Sequence, residues 1–355
     1  MNIKPLIIGD LQIPVPIIQG GMGVGVSLSN LSSAVTNAGG LGVISSVQIG
    51  YKDKEFKKDP LSANLKALRN EILLAKEKCH NGILGLNVMV ATTNYSKTIK
   101  TAIEAGIDVI ISGAGLPTKL PELVKGTKVK IAPIVSSLKA TKVILKLWDK
   151  HYNTTADMVV IEGPKAGGHL GFAENTLKDE DLNFENTITS IIDEVKNYSE
   201  KYDKKIPVIV AGGVFSGADI AKYIKLGANG VQMATRFVAT EECDASTAFK
   251  EAYVNCKKED ITIVKSPVGM PGRAINNTFV KHTKEHSLPI EHCYNCLTPC
   301  NPSNTPYCIS AALINAVKGD LDNGLIFCGD NVDKITKITT VNEVFNELTT
   351  ELNAI

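Results

Sequence analysis

The segment Asp157-Met-Val-Val-Ile-Glu162, followed directly by Gly163-Pro-Lys-Ala-Gly-Gly-His-Leu-Gly-Phe172, joins a short apolar run to a glycine-rich turn. A run of this length, rich in Val and Ile, is typical of a strand that is buried on both faces of a parallel sheet. The turn places His169 just after the strand, where parallel sheets gather their ligand-binding groups. The segment therefore predicts a βα unit that carries a candidate functional histidine.

Apolar runs of the same kind recur along the first two thirds of the chain, and most are followed by a helix-like segment. Eight βα units within about 240 residues match the usual length of a (β/α)₈ TIM barrel. An open doubly wound sheet is the alternative, but no acidic residue closes a second strand about 20 positions after the turn Gly20-Gly-Met-Gly-Val-Gly25, as a dinucleotide fingerprint requires. The predicted strands are residues 15–19, 41–45, 83–87, 108–112, 131–135, 158–162, 208–211 and 230–234.

The predicted helices alternate with these strands until about residue 245, where the rhythm stops. We therefore expect a barrel over residues 1–245 and an irregular, partly helical appendage over residues 246–355 that packs on it. A charged stretch leading into a helix-like segment is interpreted as a loop insertion over about residues 50–80, which covers the mouth of the barrel. The predicted helices are residues 27–37, 61–78, 95–105, 138–150, 186–201 and 217–226.

Composition narrows the classes of partner. The chain has 355 residues, of which 38 are basic and 37 acidic, giving a net charge of +1 without a dominant run of one sign. This balance argues against nucleic-acid binding. No stretch reaches the roughly 20 apolar residues of a membrane span, and the N-terminal apolar run is too short for a signal peptide. We expect a cytoplasmic enzyme with a small-molecule substrate; the sequence is compatible with a homodimer.

Several turns after predicted strands carry groups suited to a ligand. The turns Ala211-Gly-Gly213 and Ala234-Thr-Arg236 follow the last two strands, where barrels commonly bind phosphate through backbone N–H groups. Thr235 would add a hydroxyl and Arg236 a charge. Each polar residue alone could equally be a helix cap or turn former. The polar residues at or near strand ends are Gln19, Asn87, Ser112, Ser136, Glu162 and Gln232.

Taken together, these segments resemble the nitronate monooxygenase family, formerly called 2-nitropropane dioxygenase. They are also similar to enoyl-[acyl carrier protein] reductase II and to bacterial NADH:quinone reductases. The resemblance covers most of residues 10–275. It rests on the run Ile17-Ile-Gln-Gly-Gly-Met22, Asn87, Glu162-Gly163, Ala166-Gly-Gly-His169, Ala211-Gly-Gly213 and Ala234-Thr-Arg-Phe237.

The resemblance implies an FMN cofactor across the top of the barrel, with its phosphate on the two late turns. It also implies that His169 faces the flavin on the substrate side. An imidazole can accept a proton from a nitroalkane or, when protonated, hold an anionic nitronate. The implied cofactor-binding residues are Gln19, Gly20, Gly21, Met22, Asn87, Ser136, Glu162, Ala211, Gly212, Gly213, Gln232, Ala234 and Thr235.

The implied reaction is oxidation of an alkyl nitronate by O₂ to a carbonyl compound and nitrite. The alternative is reduction of an enoyl thioester or a quinone by NAD(P)H through the same flavin. The flavin supplies redox power in both cases, so the fold does not choose between them.

Four cysteines near the C-terminus follow the pattern C-x₂-C-x₃-C-x₇-C. Thiolates at this spacing could surround zinc or an iron–sulfur cluster. Reduced, partly buried thiols without a metal are the competing interpretation. The candidate ligands are Cys293, Cys296, Cys300 and Cys308.

Overall fold

A closed ring of eight parallel strands forms the centre of the protein. The computed structural model describes residues 4–177 and 183–355. The ring confirms the predicted (β/α)₈ barrel, because each predicted strand is present and each neighbouring pair is parallel. The strands are β1 Leu6–Ile8, β2 Leu11–Ile13, β3 Ile17–Gln19, β4 Gly42–Ser45, β5 Leu84–Met89, β6 Val109–Gly113, β7 Lys130–Val135, β8 Val159–Glu162, β9 Gly168–His169, β10 Val208–Ala211, β11 Gly230–Met233, β12 Ile261–Lys265 and β13 Pro271–Ile275.

Hydrogen bonds close the ring between its first two strands, β3 and β4. The sheet order is β3-β11-β10-β8-β7-β6-β5-β4. The backbone of Leu41, just before β4, donates to Ile17 O and accepts from Gln19 N, both at 3.0 Å. The closed sheet thus has no free edge.

Alternation along the strands builds two separate apolar layers. Val43 and Val160 point into the barrel and share a buried cluster with the hairpin β1–β2, which closes the amino-terminal end. Their neighbours Ile44 and Ile161 point outward into a larger cluster beneath the helices. Because side chains alternate between the two faces of a strand, a continuous Val/Ile run fills both layers.

Helices surround the barrel, and two of them differ from the sequence-based expectation. Residues 60–78, within the expected loop insertion, form α2, which contacts α1 and α3 and so takes the place of a barrel helix. The helices are α1 Ser29–Asn37, α2 Pro60–Lys78, α3 Tyr95–Glu104, α4 Leu120–Leu123, α5 Leu138–Tyr152, α6 Glu174–Leu177, α7 Phe184–Lys201, α8 Gly217–Lys225, α9 Thr235–Val238, α10 Thr247–Val254, α11 Thr278–Glu285, α12 Ile309–Lys318 and α13 Val341–Asn353.

The C-terminal helix α13 is the second difference. The strand β11 is followed only by the four-residue helix α9, and the chain then leaves the ring for about a hundred residues. It returns with α13, which packs between α8 and α1 through Phe345 and Leu348. In a regular barrel, the helix that follows β11 would fill this position. Here the C-terminal helix α13 fills it instead.

The segment between α9 and α13 lies over the carboxyl end of the barrel. There β12, β13 and β9 form an antiparallel sheet, in which Gly272 pairs with His169. The appendage is thus joined by backbone hydrogen bonds to the turn that carries the candidate histidine. Among the described residues, no helix is both long and apolar enough to cross a membrane.

Candidate active site

A cavity of about 250 Å³ lies at the carboxyl end of the barrel, beneath the appendage. The turns after β3, β8, β10 and β11 form its floor and walls, since the carboxyl ends of parallel strands converge there. All but two of the residues predicted for the site line this cavity. They are Gly20, Gly21, Met22, Asn87, Glu162, His169, Ala211, Gly212, Gly213, Gln232, Ala234 and Thr235.

The two exceptions are Gln19 and Ser136, which are absent from the cavity wall. Gln19 is completely buried; its Oε1 accepts from Val43 N at 3.0 Å and its Nε2 donates to Gly20 O. Gln19 therefore supports the turn after β3 from below. Ser136 lies against Gly171. A Cβ added to Gly171 would lie 2.3 Å from Oγ of Ser136.

Two further polar residues of the sequence analysis also serve structural roles. Ser112 is buried, and its hydroxyl donates to Val88 O and contacts the Tyr95 hydroxyl at 2.8 Å. Arg236 forms an ion pair with Glu347 of α13 at 2.5 Å and does not line the cavity. Its charge anchors the last barrel helix, so the expectation that Arg236 assists phosphate binding is wrong.

The turns after β10 and β11 leave backbone donors unpaired. The amides of Gly212, Gly213, Ala234 and Thr235 have no hydrogen-bond acceptor among the residues that the structure describes. Gly212 and Gly213 have φ angles of +91° and +87°, which side-chain-bearing residues rarely adopt. Unpaired amides in such a glycine turn form an anion-binding concavity, and the residues present fit a phosphate group.

Lys165 lies beside the same glycine turn and adds positive charge to it. Its Cβ, Cδ and Cγ lie 3.0, 3.2 and 3.6 Å from the position that a Cβ on Gly213 would occupy. Its ammonium has no ion-pair partner in residues 4–177 and 183–355. Lys165 stands in the stretch that also carries His169, but we expected no role for it from the sequence.

The imidazole of His169 is held from two sides by the appendage. Its Nε2 lies 2.7 Å from Oγ of Ser266, and its ring meets the Phe327 ring edge-on, with centroids 4.9 Å apart. Burial lowers the pKa of His169 to about 4, because the charged form loses its hydration. At neutral pH the imidazole is therefore uncharged, which favours hydrogen bonding over the role of a cationic anchor.

Glu162 is the acidic side chain of the cavity. It ends β8, and its carboxyl group has no hydrogen-bond or ion-pair partner among the described residues. Desolvation raises the pKa of Glu162 to about 7. A carboxyl group with a pKa near neutrality, located in a cleft, is typical of a functional site.

The four C-terminal cysteines do not form a metal centre in the structure. In residues 4–177 and 183–355, no group of three or more His, Cys, Asp or Glu side chains is arranged to hold a metal ion. All eight cysteines are free, and burial raises the pKa of Cys296 to about 11. The arrangement of these thiols therefore gives no support to the predicted zinc or iron–sulfur site.

The sequence analysis missed the roof of the cavity. It comes from the appendage, and its residues are mostly apolar, so they resemble ordinary core positions. No local pattern distinguishes them, because their role depends only on where the appendage lies. The roof residues are Phe249, Tyr253, Met270, Leu313, Leu325, Phe327 and Cys328.

Comparison with known proteins identifies the family of this chain. The family model described as nitronate monooxygenase matches residues 4–351. The chain belongs to the nitronate monooxygenase family. It is 31% identical over 300 residues to a probable nitronate monooxygenase from Staphylococcus haemolyticus, across 78% of this chain and 79% of that relative.

Solved structures agree with this membership. FabK from Thermotoga maritima superposes with a TM-score of 0.71 and 26% identity over 96% of this chain and 93% of its own. A nitroalkane oxidase from Streptomyces ansochromogenes shares the fold, with a TM-score of 0.68 and 18% identity over 96% of each chain. As a member of the nitronate monooxygenase family, the protein is an oxidoreductase.

Proposed function

We propose that this protein binds FMN and oxidises alkyl nitronates with O₂ to carbonyl compounds and nitrite. The observation that carries the proposal is the meeting, in one cavity, of unpaired backbone donors suited to a phosphate and a half-buried, uncharged His169. Family membership supports the reaction type. The purified protein is expected to be yellow and to release nitrite from a nitronate.

The two glycine-bearing turns would hold the FMN phosphate. The amides of Gly212, Gly213, Ala234 and Thr235 supply donors, and Lys165 supplies a positive charge. Around the rest of the cofactor stand the turn after β3 and the side chains of Asn87 and Gln232. When bound, FMN supplies the redox chemistry.

His169 would orient the nitronate by hydrogen bonding. Oγ of Ser266 accepts from Val268 N at 3.3 Å, which leaves its own O–H available to donate to Nε2 of His169. We assign the imidazole proton to Nδ1 on this basis, so that a neutral ring keeps one N–H to donate. A hydrogen bond to an anionic group contributes about 1.5 to 3 kcal/mol. With its low pKa, His169 is better suited to donate this bond than to abstract a proton.

Glu162 is positioned to handle a proton within the cavity. Its pKa of about 7 allows both protonation states near neutral pH. In its neutral form it adds no negative charge to a site that would hold an anionic phosphate and an anionic nitronate. We therefore expect nitronate affinity to fall as the pH rises through about 7.

Anaerobic mixing tests the proposal directly. Flavin absorbance should bleach with butyl nitronate and stay unchanged with NADH or NADPH. In air, nitrite release should then accompany O₂ consumption. Rapid bleaching by a nicotinamide with no response to nitronate would refute nitronate oxidation.

The second candidate is an NAD(P)H-dependent FMN reductase acting on an enoyl thioester or quinone. Similarity to FabK over 96% of this chain supports keeping this candidate. Bleaching by NADH or NADPH and reoxidation by an enoyl thioester or a quinone are the results it requires. The same anaerobic experiment therefore separates the two candidates.

A further inference from the structure

A second cavity, of about 70 Å³, adjoins the first. The two cavities share Val47, Met89 and His169 as wall residues. A ligand bound at His169 therefore lies next to both cavities. None of the residues predicted to hold the cofactor lines the second cavity.

Three distant parts of the chain enclose this second cavity. The loop before α2 and the start of α2 form one wall, the loop after β5 a second, and the cysteine-bearing segment a third. The last two walls are joined by backbone hydrogen bonds from Thr93 N to Cys296 O at 3.2 Å and from Thr298 N to Ala91 O at 2.9 Å. Stacking of Phe56 on Tyr294, with centroids 5.2 Å apart, joins the cysteine-bearing segment to the loop before α2. The enclosure is thus a built feature of the fold.

Among the residues that the structure describes, no Asp, Glu, Lys or Arg side chain lines this cavity. By contrast, the first cavity is lined by Glu162 and Lys165. The occupant of the second cavity would therefore meet no counter-charge. A charged group would lose its hydration there without compensation, which is strongly unfavourable.

Several polar side chains of the lining are paired with one another or with the backbone. Asn64 Nδ2 donates to Gln48 Oε1 at 2.8 Å, and Gln48 Nε2 donates to Ser310 Oγ at 2.9 Å. The hydroxyl of Thr92 donates to Met89 O at 2.8 Å and that of Thr93 to Asn295 O at 2.6 Å. Aliphatic side chains such as Leu61, Leu65 and Ile309 form the wall together with these uncharged polar groups, so the cavity presents an uncharged surface.

We propose that the second cavity receives the uncharged end of the substrate, so that the enzyme selects substrates without a second charge. This inference deepens the proposed function and rests on it for the identity of the reacting group. The preferred substrate is therefore a nitronate whose far end carries no charge.

Ligand binding to the FMN-loaded protein tests the cavity independently of turnover. Pentanoate and glutarate have the same chain length, but glutarate carries a second carboxylate at its far end. Titration calorimetry should show pentanoate binding at least roughly 10-fold more tightly than glutarate. Affinity in the series from acetate to pentanoate should rise by up to about 4-fold for each added methylene.

A charge placed in the cavity should reverse the preference. Leu65→Lys introduces an ammonium group into the lining, and we expect it to favour glutarate over pentanoate. Leu73→Lys is the matched control, because Leu73 lies on the same helix, is 52% exposed and is not part of the lining. If the Leu65 variant does not fold, the wild-type ligand series decides alone.

The outcomes separate this inference from the proposed function. Equal affinity for pentanoate and glutarate, or no dependence on chain length, would overturn the assignment even if nitronates are oxidised. Turnover of butyl nitronate with a kcat/KM at least roughly 10-fold above that of propionate 3-nitronate would support it. If no nitronate is oxidised but the pentanoate preference holds, the proposed function fails and the cavity assignment stands.

Discussion

The desolvated, half-buried carboxyl group of Glu162 should make protein stability depend on pH. Its folded-state pKa is about 7, whereas the ordinary value is 4.5, so the folded state binds a proton more readily than the unfolded state. For an acid whose pKa is raised by folding, the loss of stability caused by ionisation is absent below the pKa of the unfolded state and complete above the pKa of the folded state. Folding stability should therefore fall as the pH rises from about 4.5 to 7.

The size of this effect follows from the pKa difference. A shift of about 2.5 units corresponds to roughly 3 kcal/mol at pH 8. Because the side chain is partly exposed in the cavity, we expect a somewhat smaller effect. Ionisation of Glu162 should lower the free energy of unfolding by roughly 2 to 3 kcal/mol at pH 8 and by less than about 1 kcal/mol at pH 5. Glu162→Gln removes the charge while keeping the shape, so it should stabilise the flavin-free protein at pH 8 and change little at pH 5.

Urea unfolding followed by tryptophan fluorescence can measure this difference. Trp148 is the single tryptophan of the sequence and is fully buried, so its emission reports loss of the folded core. Glu122→Gln, at an exposed position of α4, is the control and should leave stability unchanged at both pH values. Equal unfolding free energies of wild type and Glu162→Gln at pH 8 would refute the reasoning.

Three further predictions concern the site. His169→Ala should retain flavin but lower kcat/KM for butyl nitronate by roughly 10²-fold, through loss of a hydrogen bond to the anion; unchanged kinetics would remove His169 from the mechanism. Gly212→Ala should reduce flavin content, because its Cβ would lie 2.9 Å from Gly163 O, whereas Gly106→Ala, with a similar φ of +88° but open space, should retain flavin. Metal analysis should find less than one zinc or iron per chain, and Cys300→Ser should leave the visible spectrum unchanged; a broad iron–sulfur absorption lost in that variant would contradict the thiol assignment.

The barrel strands could be recognised from the sequence because a buried parallel strand has a strong local signature. Continuous Val/Ile runs such as Val159–Glu162 must fill two apolar layers at once, and glycine or a polar residue marks the end of each. The barrel then brings the strand ends together, so Asn87 and Gly212 could be assigned to one site from the sequence, and the family resemblance added Gly20. Gln19 and Arg236 show what the sequence could not predict. A polar residue near a strand end can point into the cavity or into the packed structure beneath it, and the local sequence is similar in both cases.

The sequence predicts a helix-like segment over residues 61–78 but assigns it to a loop insertion, because the charged stretch before it interrupts the alternation of strands and helices. In the structure this segment is α2, and its Leu68, Ile72 and Ala75 are buried in the cluster beneath the barrel helices. That placement depends on tertiary contacts and has no local sequence signal. Helix α13 has a clear capping box at Thr340. No local sequence pattern, however, indicates that this helix completes the barrel.

The sequence alone determined the barrel, the family resemblance and the turns that form the floor of the cavity, because each follows from residues that are neighbours along the chain. Only the tertiary structure decided the roof of the cavity, the neutral state of His169 and the uncharged second cavity. These depend on contacts across long sequence separations, such as His169 with Ser266 and Gln48 with Ser310. Burial and charge arise from such contacts, so they become visible only when the appendage has folded over the barrel.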